Sequence, residues 1–470
     1  MNVTDVPAAK ACGRAPGALP LLGHTLALLR DPLRFLSSLP EHGDLVRIRL
    51  GLVHAIVVCD PELTRQMLLD GRTFEKGGPL VDKASEVFGN GLGTCPHGEH
   101  RRQRRLTQPA FHQARLPGYA QTMADQCQAV TGAWRDGQII DALPEMTALT
   151  IRVIAATMFG TALPPAAHSQ ILDDFAAVMD GIYAHMILPL PFARLPTPGN
   201  RRYQRARARL RHSIGQITDA YRADGADHGD LLSMLVATRD TSMDAGATGQ
   251  SFSDAEITDQ ILTFLFGGTE TSAALLTSAL YLLARHPGIQ RQLQDEVDTV
   301  LAGATPAYAD VPRLELTGRV LTETLRIYPP AWIITRTTTT DTRLGAHVIP
   351  AGTVMAYSPY LIHHRPDVHA GPDDFDPGRW TSPPARDAFI PFGAGARKCI
   401  GDAFAMTEAT LVLASIARHW QVDFLPGKNA RPKPRTTLSP RRLRLRVTAR
   451  GTQPQHGPAE SAHLSLGVTQ

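Results

Sequence analysis

One cysteine in this chain is set apart by its neighbours. Cys399 lies in the string Phe392-Gly-Ala-Gly-Ala-Arg-Lys-Cys399-Ile-Gly401, where a glycine-rich loop runs into the segment read as the last long helix, about 400–420. The thiolate, not the thiol, is the nucleophile and the metal ligand. A helix start offers unpaired N–H groups and the positive end of a dipole, and both favour a negative sulfur. Gly393, Gly395 and Gly401 let backbone approach a flat ligand without Cβ clashes. Arg397, just before the sulfur, can reach a carboxylate on the same face. The plain alternative is a structural cysteine buried behind a turn.

A second group sits in Phe266-Gly267-Gly268-Thr269-Glu270-Thr271-Ser272. Adjacent glycines inside a helix cost about 1 kcal/mol each relative to alanine. Such residues let a ligand press against the backbone, and local unwinding there frees a carbonyl or admits water. Thr271 adds a hydroxyl and Glu270 a carboxylate that can carry protons. Helix packing alone is the competing explanation. Glu323 and Arg326 lie three apart on one helical face, as in many surface ion pairs, and Phe375-Asp-Pro-Gly-Arg379-Trp380 follows about 50 residues on. His100-Arg-Arg-Gln-Arg104-Arg105 has the density of a nucleic-acid patch. The formal charge of only +4 over 470 residues argues against that partner.

These residues need elements to hold them. The chain is 43% apolar, enough for a large core, and five scattered cysteines (Cys12, Cys59, Cys95, Cys127, Cys399) do not form a disulfide framework or a CxxC pair. The apolar run near residues 19–29 is short and broken by Pro20, Gly23 and His24, too short for a span of roughly 20 residues. A cytoplasmic chain without a membrane span is expected. Alternation predicts strands at Leu45-Val-Arg-Ile-Arg-Leu50, His54-Ala-Ile-Val-Val-Cys59 and Leu443-Arg-Leu-Arg-Val447. Helical periodicity dominates about 100–330, with breaks at 189–198 and 238–251, the second a candidate mobile connection. Ser253 and Glu256 form a capping-box signature opening a helix that can run about 32 residues, to Pro287. The expected fold is mainly α (α+β): a helical bundle with a small segregated sheet. Residues 1–14 read as a flexible leader, 15–448 as a single domain and 449–470 as a disordered tail.

The string around Cys399 resembles the haem-binding signature of the cytochrome P450 family at every defining position. That resemblance implies haem b (iron protoporphyrin IX) with Cys399 as axial iron ligand, and Phe392, Gly393, Arg397 and Gly401 shaping its loop. His100 and Arg104 match the family's W/H-xxx-R pair, with His for the commoner Trp. With Arg336 after Pro329-Pro330, they are the implied propionate ligands. Glu323, Arg326 and Arg379 match the buried ionic network behind the haem. Gly267, Gly268, Glu270 and Thr271 match the oxygen-activating motif, in which the threonine hydrogen-bonds dioxygen and the acid feeds protons. The partners implied are O2 and electrons from NAD(P)H through ferredoxin reductase and ferredoxin. Arg101, Arg102, Arg105 and Lys398 offer an acidic ferredoxin a docking face, or form an ordinary solvated surface.

The family's substrate segments fall on apolar residues here: Phe88, Phe264, Leu265, Ala331, Trp332, Ile333, Ile334 and Leu438, with 179–198 and Thr437 beside them. No charge greets a carboxylate or amine, so a compact hydrocarbon-like substrate is expected, unless these residues are simply core. The Pro-Pro-Ala-Trp-Ile-Ile-Thr-Arg stretch and the Arg-Asp-Pro-Leu-Arg-Phe-Leu entry near residue 30 are similar to actinobacterial sesquiterpene oxidases. This implies a monomeric monooxygenase of secondary metabolism that oxidises an unactivated methyl group, through alcohol to aldehyde. Fatty-acid, steroid or macrolide hydroxylation stays open as an alternative. So does a peroxygenase or isomerase, although the Glu270–Thr271 pair argues against it, and a non-catalytic haem protein that senses gas, in which the Gly267–Gly268 pair would have no purpose.

Overall fold

The capping box at Ser253 forms as expected: the Ser253 hydroxyl accepts from Glu256 N, and the Glu256 carboxylate accepts from Ser253 N at 2.9 Å. In the computed structural model, which describes residues 10–160, 165–187, 195–240, 250–385, 387–425 and 431–451, this box opens a 32-residue helix, Asp254–Arg285. Residues 1–9 of the expected leader, 452–470 of the expected tail, 188–194 of the apolar segment and 241–249 of the expected mobile break lie outside the described residues. Short strands Arg239–Asp240 and Gln250–Ser251 pair across the base of that break.

Five helices position the site, labelled α1 (His97–Thr107), α2 (Ala142–Phe159), α3 (Asp254–Arg285), α4 (Glu315–Ile327) and α5 (Asp402–His419). Every residue of α3 from Ser272 to Leu283 is buried, so this half is enclosed on all sides as a central core helix. It packs on α2, α4 and α5. α2 is the one helix among the described residues long and apolar enough to cross a membrane. Its packing against α3 and its buried Leu149, Val153 and Phe159 make it core.

A six-stranded sheet lies to one side: β1 (Gly13–Arg14), β2 (Leu45–Leu50), β3 (Val53–Val58), β4 (Phe74–Lys76), β5 (Ile334–Thr338) and β6 (Val354–Tyr357), in the order β1-β2-β3-β6-β5-β4. β2 and β3 are the alternating runs visible in the sequence, and they cover a second apolar core around Val57, Met67, Ile349 and Met355. The pairing of β4 with β5 sets Lys76 directly opposite Arg336. A three-stranded sheet formed by Ile139–Asp141, Trp420–Phe424 and Arg444–Ala449 flanks α5, and a hairpin of Pro432–Pro434 with Leu438–Pro440 leans on α3.

Candidate active site

The loop before α5 is shaped by two glycines in left-handed backbone, Gly393 and Gly395, both at φ +68°. A Cβ on Gly395 would sit 2.2 Å from the Leu68 carbonyl oxygen. This glycine serves a close chain crossing, and not the approach to a ligand expected of it. Cys399 N donates to Phe392 O at 2.9 Å, which closes the loop beneath the sulfur. Cys399 is exposed, yet burial among protein groups pushes its thiol up, while the Gly401 N–H pulls it down. Accessible and desolvated together describe a sulfur at the floor of a recess. Gly401 stands at the N-cap of α5 and Phe111 lies 3.7 Å from where its Cβ would be.

Beside the sulfur lies a cationic cluster with few acids. Lys76 donates to Gly93 O at 2.7 Å, and burial with the charges of Arg336 and Arg397 lowers its amine to about 8. Burial and then the same Arg397 charge push His100 down to about 3. Arg397 reaches Cys95 O at 3.0 Å, but its Nε finds no partner, nor do Nε and Nη1 of Arg336 or Nδ1 of His97. Buried guanidinium groups without acceptors are costly. The cluster is therefore built for an anion that carries several acceptor oxygens. Arg104 is placed differently from the propionate role expected of it. Its Nη1 donates to Lys398 O at 2.6 Å and Ala396 O at 3.2 Å, clasping the thiolate loop from outside.

Glu323 and Arg326 are fully buried on α4 and bonded twice, at 2.8 Å each. Arg326 also donates to the carbonyls of His363, Pro372 and Asp374, and Glu323 accepts from Trp380 Nε1 at 2.8 Å and Asp376 N at 3.2 Å. Arg379, at 3.5 Å, is the outlying partner. Burial raises the Glu323 carboxyl, but Arg326 and the N–H donors outweigh it and hold it below its usual range. Ile390 N donates to His363 Nε2 at 2.9 Å, so the proton sits on Nδ1, which donates to Arg326 O at 3.1 Å. This neutral imidazole ties α4 to the strand of chain entering the thiolate loop. No local motif pointed to it.

These groups fix a pH response. His363, His364 and His369 all titrate below the ordinary imidazole range because burial penalises the cation, His364 at about 4. Below about pH 6.5 the unfolded chain takes up protons that the folded chain refuses. The contribution of these histidines is thus full above about pH 6.5 and falls toward about pH 4, where loss of the Glu323 carboxylate begins to add. Melting curves of the purified protein should drop between about pH 6.5 and about pH 4; a flat profile down to about pH 5 would contradict this.

On α3 the helix continues unbroken through Gly267 and Gly268, so the expected unwinding is absent. The carbonyl of Gly267 instead accepts the Thr271 hydroxyl at 2.5 Å. A Cβ on Gly267 would meet nothing within 4 Å, whereas one on Gly268 would press on Ile154 of α2 at 3.1 Å. One glycine borders open space and the other allows the helices to close. Burial pushes the Glu270 carboxyl up. Its Oε1 accepts from the Thr436 and Thr437 hydroxyls, the latter at 3.2 Å, and its Oε2 is buried without a partner. Ser272 donates to the buried Glu408 of α5 at 2.7 Å, tying the helix that carries Thr271 to the helix that follows Cys399.

The apolar wall is only partly as expected. Ala331, Trp332, Ile333 and Ile334 are half-buried and border the site. Phe264, however, packs edge-on against Phe111, which in turn meets Phe404, and Leu265 is 1% exposed. Both are core: Phe264 joins the Phe111–Phe404 cluster and Leu265 is enclosed. Phe266, one residue on, stacks obliquely with Phe88 at 4.2 Å and takes their place. Leu438 is fully buried under the late turn. Of the four expected docking cations, Arg102 is tied to Glu256 and Lys398 to Asp402 at 2.5 Å, while Arg101 is exposed.

An accessible sulfur at the floor of a recess, an open stretch of helix at Gly267 and buried cations awaiting carboxylates fit an iron porphyrin. Cys399 would hold its iron, and Arg336, Arg397, His100, Lys76 and His97 its propionates. Lys76 and His97 were invisible in the sequence, since only the β4–β5 register and the turn into α1 bring them there.

A family model described as Cytochrome P450 matches residues 14–447. Curated relatives include a cyclooctatin synthase of Streptomyces melanosporofaciens, 47% identical over 92% of this chain and 94% of its own. Pentalenene oxygenase of Streptomyces avermitilis is 45% identical over 93% of this chain and 97% of its own. A cyclooctat-9-en-7-ol 5-monooxygenase of S. melanosporofaciens is 45% identical, covering 88% and 90% respectively. Among solved structures, a cytochrome P450DA heme domain superposes with a TM-score of 0.83 at 29% identity, covering 94% of this chain and 98% of that one.

Proposed function

The chain belongs to the cytochrome P450 family, and from that premise we propose that it hydroxylates a polycyclic terpene hydrocarbon, or the alcohol made from one, in secondary metabolism. This reading is carried by the apolar character of Phe88, Phe266, Ala331, Ile333 and Ile334, which add no charge to a site built on Cys399 and the Glu270–Thr271 pair. The relatives named for pentalenene and cyclooctat-9-en-7-ol support it. The expected unactivated methyl group and the alcohol-to-aldehyde sequence belong to the same reading.

Haem b, when bound, supplies the redox chemistry that puts one oxygen atom of O2 into a C–H bond. The chain does the rest. Cys399 gives the thiolate, and the Gly401 N–H steadies its charge. Arg336, Arg397, Lys76 and His100 hold the carboxylates. The apolar wall orients a hydrocarbon and excludes water. Thr271 moves its hydroxyl proton between the Gly267 carbonyl and the oxygen side of the pocket, and Glu270, with Oε2 free, replenishes it. Electrons arrive from NAD(P)H through ferredoxin reductase and ferredoxin, whose docking face includes Arg101 and Arg102. We read residues 15–448 as one catalytic domain, monomeric, and cytoplasmic because the NAD(P)H pool is there.

Incubation of the reconstituted enzyme with polycyclic terpene hydrocarbons and their mono-alcohols, followed by mass analysis, tests the substrate. Products from these and not from fatty acids, steroids or macrolides are expected; the reverse pattern would overturn it. Thr271→Ala should slow product formation about 100-fold, the scale of a lost proton donor, while electron consumption continues. Unchanged product per electron would remove Thr271 from proton transfer.

A further inference from the structure

The hairpin turn at residues 435–437 touches two parts of the site at once. Arg435 N donates to Thr437 O at 3.0 Å and closes the turn. Its outer side is fixed to the substrate wall: Trp332 Nε1 donates to Arg435 O at 2.9 Å, and Leu438 N to Pro330 O at 3.1 Å. Its inner side points two hydroxyls, Thr436 and Thr437, at a single oxygen of Glu270. Glu270 is thereby held to the turn through Oε1, and Oε2 alone remains to exchange a proton. Among the described residues, the turn joins the 330–332 wall to this carboxyl through hydrogen bonds on both of its sides.

We propose that Thr436 and Thr437 are positioning residues that latch Glu270 to the substrate wall, so that filling the pocket resets the proton affinity of the acid. The inference rests on Glu270 serving as the proton source and names what regulates it. A substrate pressed on Trp332 shifts the strand of chain that anchors Arg435 and Leu438, and the turn carries both hydroxyls with it. Hydrogen bonds to an ionised carboxylate favour the charged form. Drawing the hydroxyls away therefore favours the proton-bearing form, the one needed when the pocket is full. The charged group acting on Glu270 in the structure is Arg441, which also favours ionisation, and burial opposes both. Both hydroxyls are spent on Glu270, and among the described residues neither threonine hydrogen-bonds the sulfur or the cationic cluster, so cofactor binding does not depend on them.

The test is an infrared pH titration of the Glu270 carboxyl in the purified holoenzyme, with the band assigned by its loss in Glu270→Gln. In the wild type, adding the accepted terpene should move the titration midpoint to higher pH. In Thr436→Val/Thr437→Val the midpoint should already lie high without substrate and stop responding to it. Thr436→Ser/Thr437→Ser, which keeps both hydroxyls, should restore the response. Equal haem content in all variants shows that folding is intact. A substrate response that survives in the valine pair, or one that the serine pair fails to restore, overturns the latch. If instead Glu270→Gln leaves product per electron unchanged, the proton-source reading itself fails, and the two failures are thereby told apart.

Discussion

Cys399→Ser is expected to reduce monooxygenase activity to background and to abolish the thiolate-type Soret band of the reduced protein under CO. A serine hydroxyl fills nearly the same space but does not ionise under the influence this loop exerts. The structure shows how finely that influence is set even for sulfur. Burial and the neighbouring Asp402 push the thiol up; the Gly401 N–H, Lys76 and Arg104 pull it down. The loop alone leaves the thiol protonated, and coordination to a cation removes the proton outright. Before haem is added, Cys399 should therefore react slowly with iodoacetamide at neutral pH although it is exposed, and its reactivity should rise steeply as the pH is raised. The haem-free serine variant should melt where the wild type does, because the side chain is accessible and its loop is held by backbone bonds. A thiolate-type band in Cys399→Ser would overturn the assignment of the ligand.

That assignment was legible because chemistry and sequence neighbours coincide: the sulfur, its glycines and the start of α5 lie within one short string. The same holds for the capping box and for Glu270–Thr271 on α3. What the sequence hid depends on register or on turns. Lys76 reaches the cationic cluster only because β4 pairs with β5 opposite Arg336, and a register is not visible from one strand. Thr436 and Thr437 meet Glu270 across 166 and 167 residues of chain. Phe266 and not Phe264 meets Phe88, because two positions on a helix lie about 200° apart and periodicity alone does not say which face is the pocket. Gly395 looked like a ligand glycine and serves the crossing over Leu68. Local strings pointed to Arg336, Arg397 and His100 but not to Lys76 and His97, which the fold sets beside them.

Removing either member of the Glu323–Arg326 pair is expected to destabilise the protein by about 3–5 kcal/mol, the cost of stranding a buried charge. A domain is stable by only about 5–15 kcal/mol, so either single variant should yield less folded holoenzyme than the wild type at growth temperature. The contacts rank the rest of the network. Trp380→Phe removes one hydrogen bond to an ionised oxygen, worth about 1.5–3 kcal/mol. Arg379→Ala removes a partly exposed partner at 3.5 Å and should cost about 1 kcal/mol or less. Urea unfolding of the four variants reads the order directly, and Arg379→Ala as damaging as Glu323→Gln would refute it. The double variant Glu323→Met/Arg326→Met separates charge from scaffolding. With neither charge left alone, it should cost less than the sum of the single methionine variants by about 2 kcal/mol. It should not return to wild type, because Arg326 also serves the carbonyls of His363, Pro372 and Asp374, and buried carbonyls without donors cost about 1–3 kcal/mol each. The pair thus acts less as an attraction between two charges than as the shared donor set for the chain that returns to the thiolate loop, and the residual cost in the double variant measures that role.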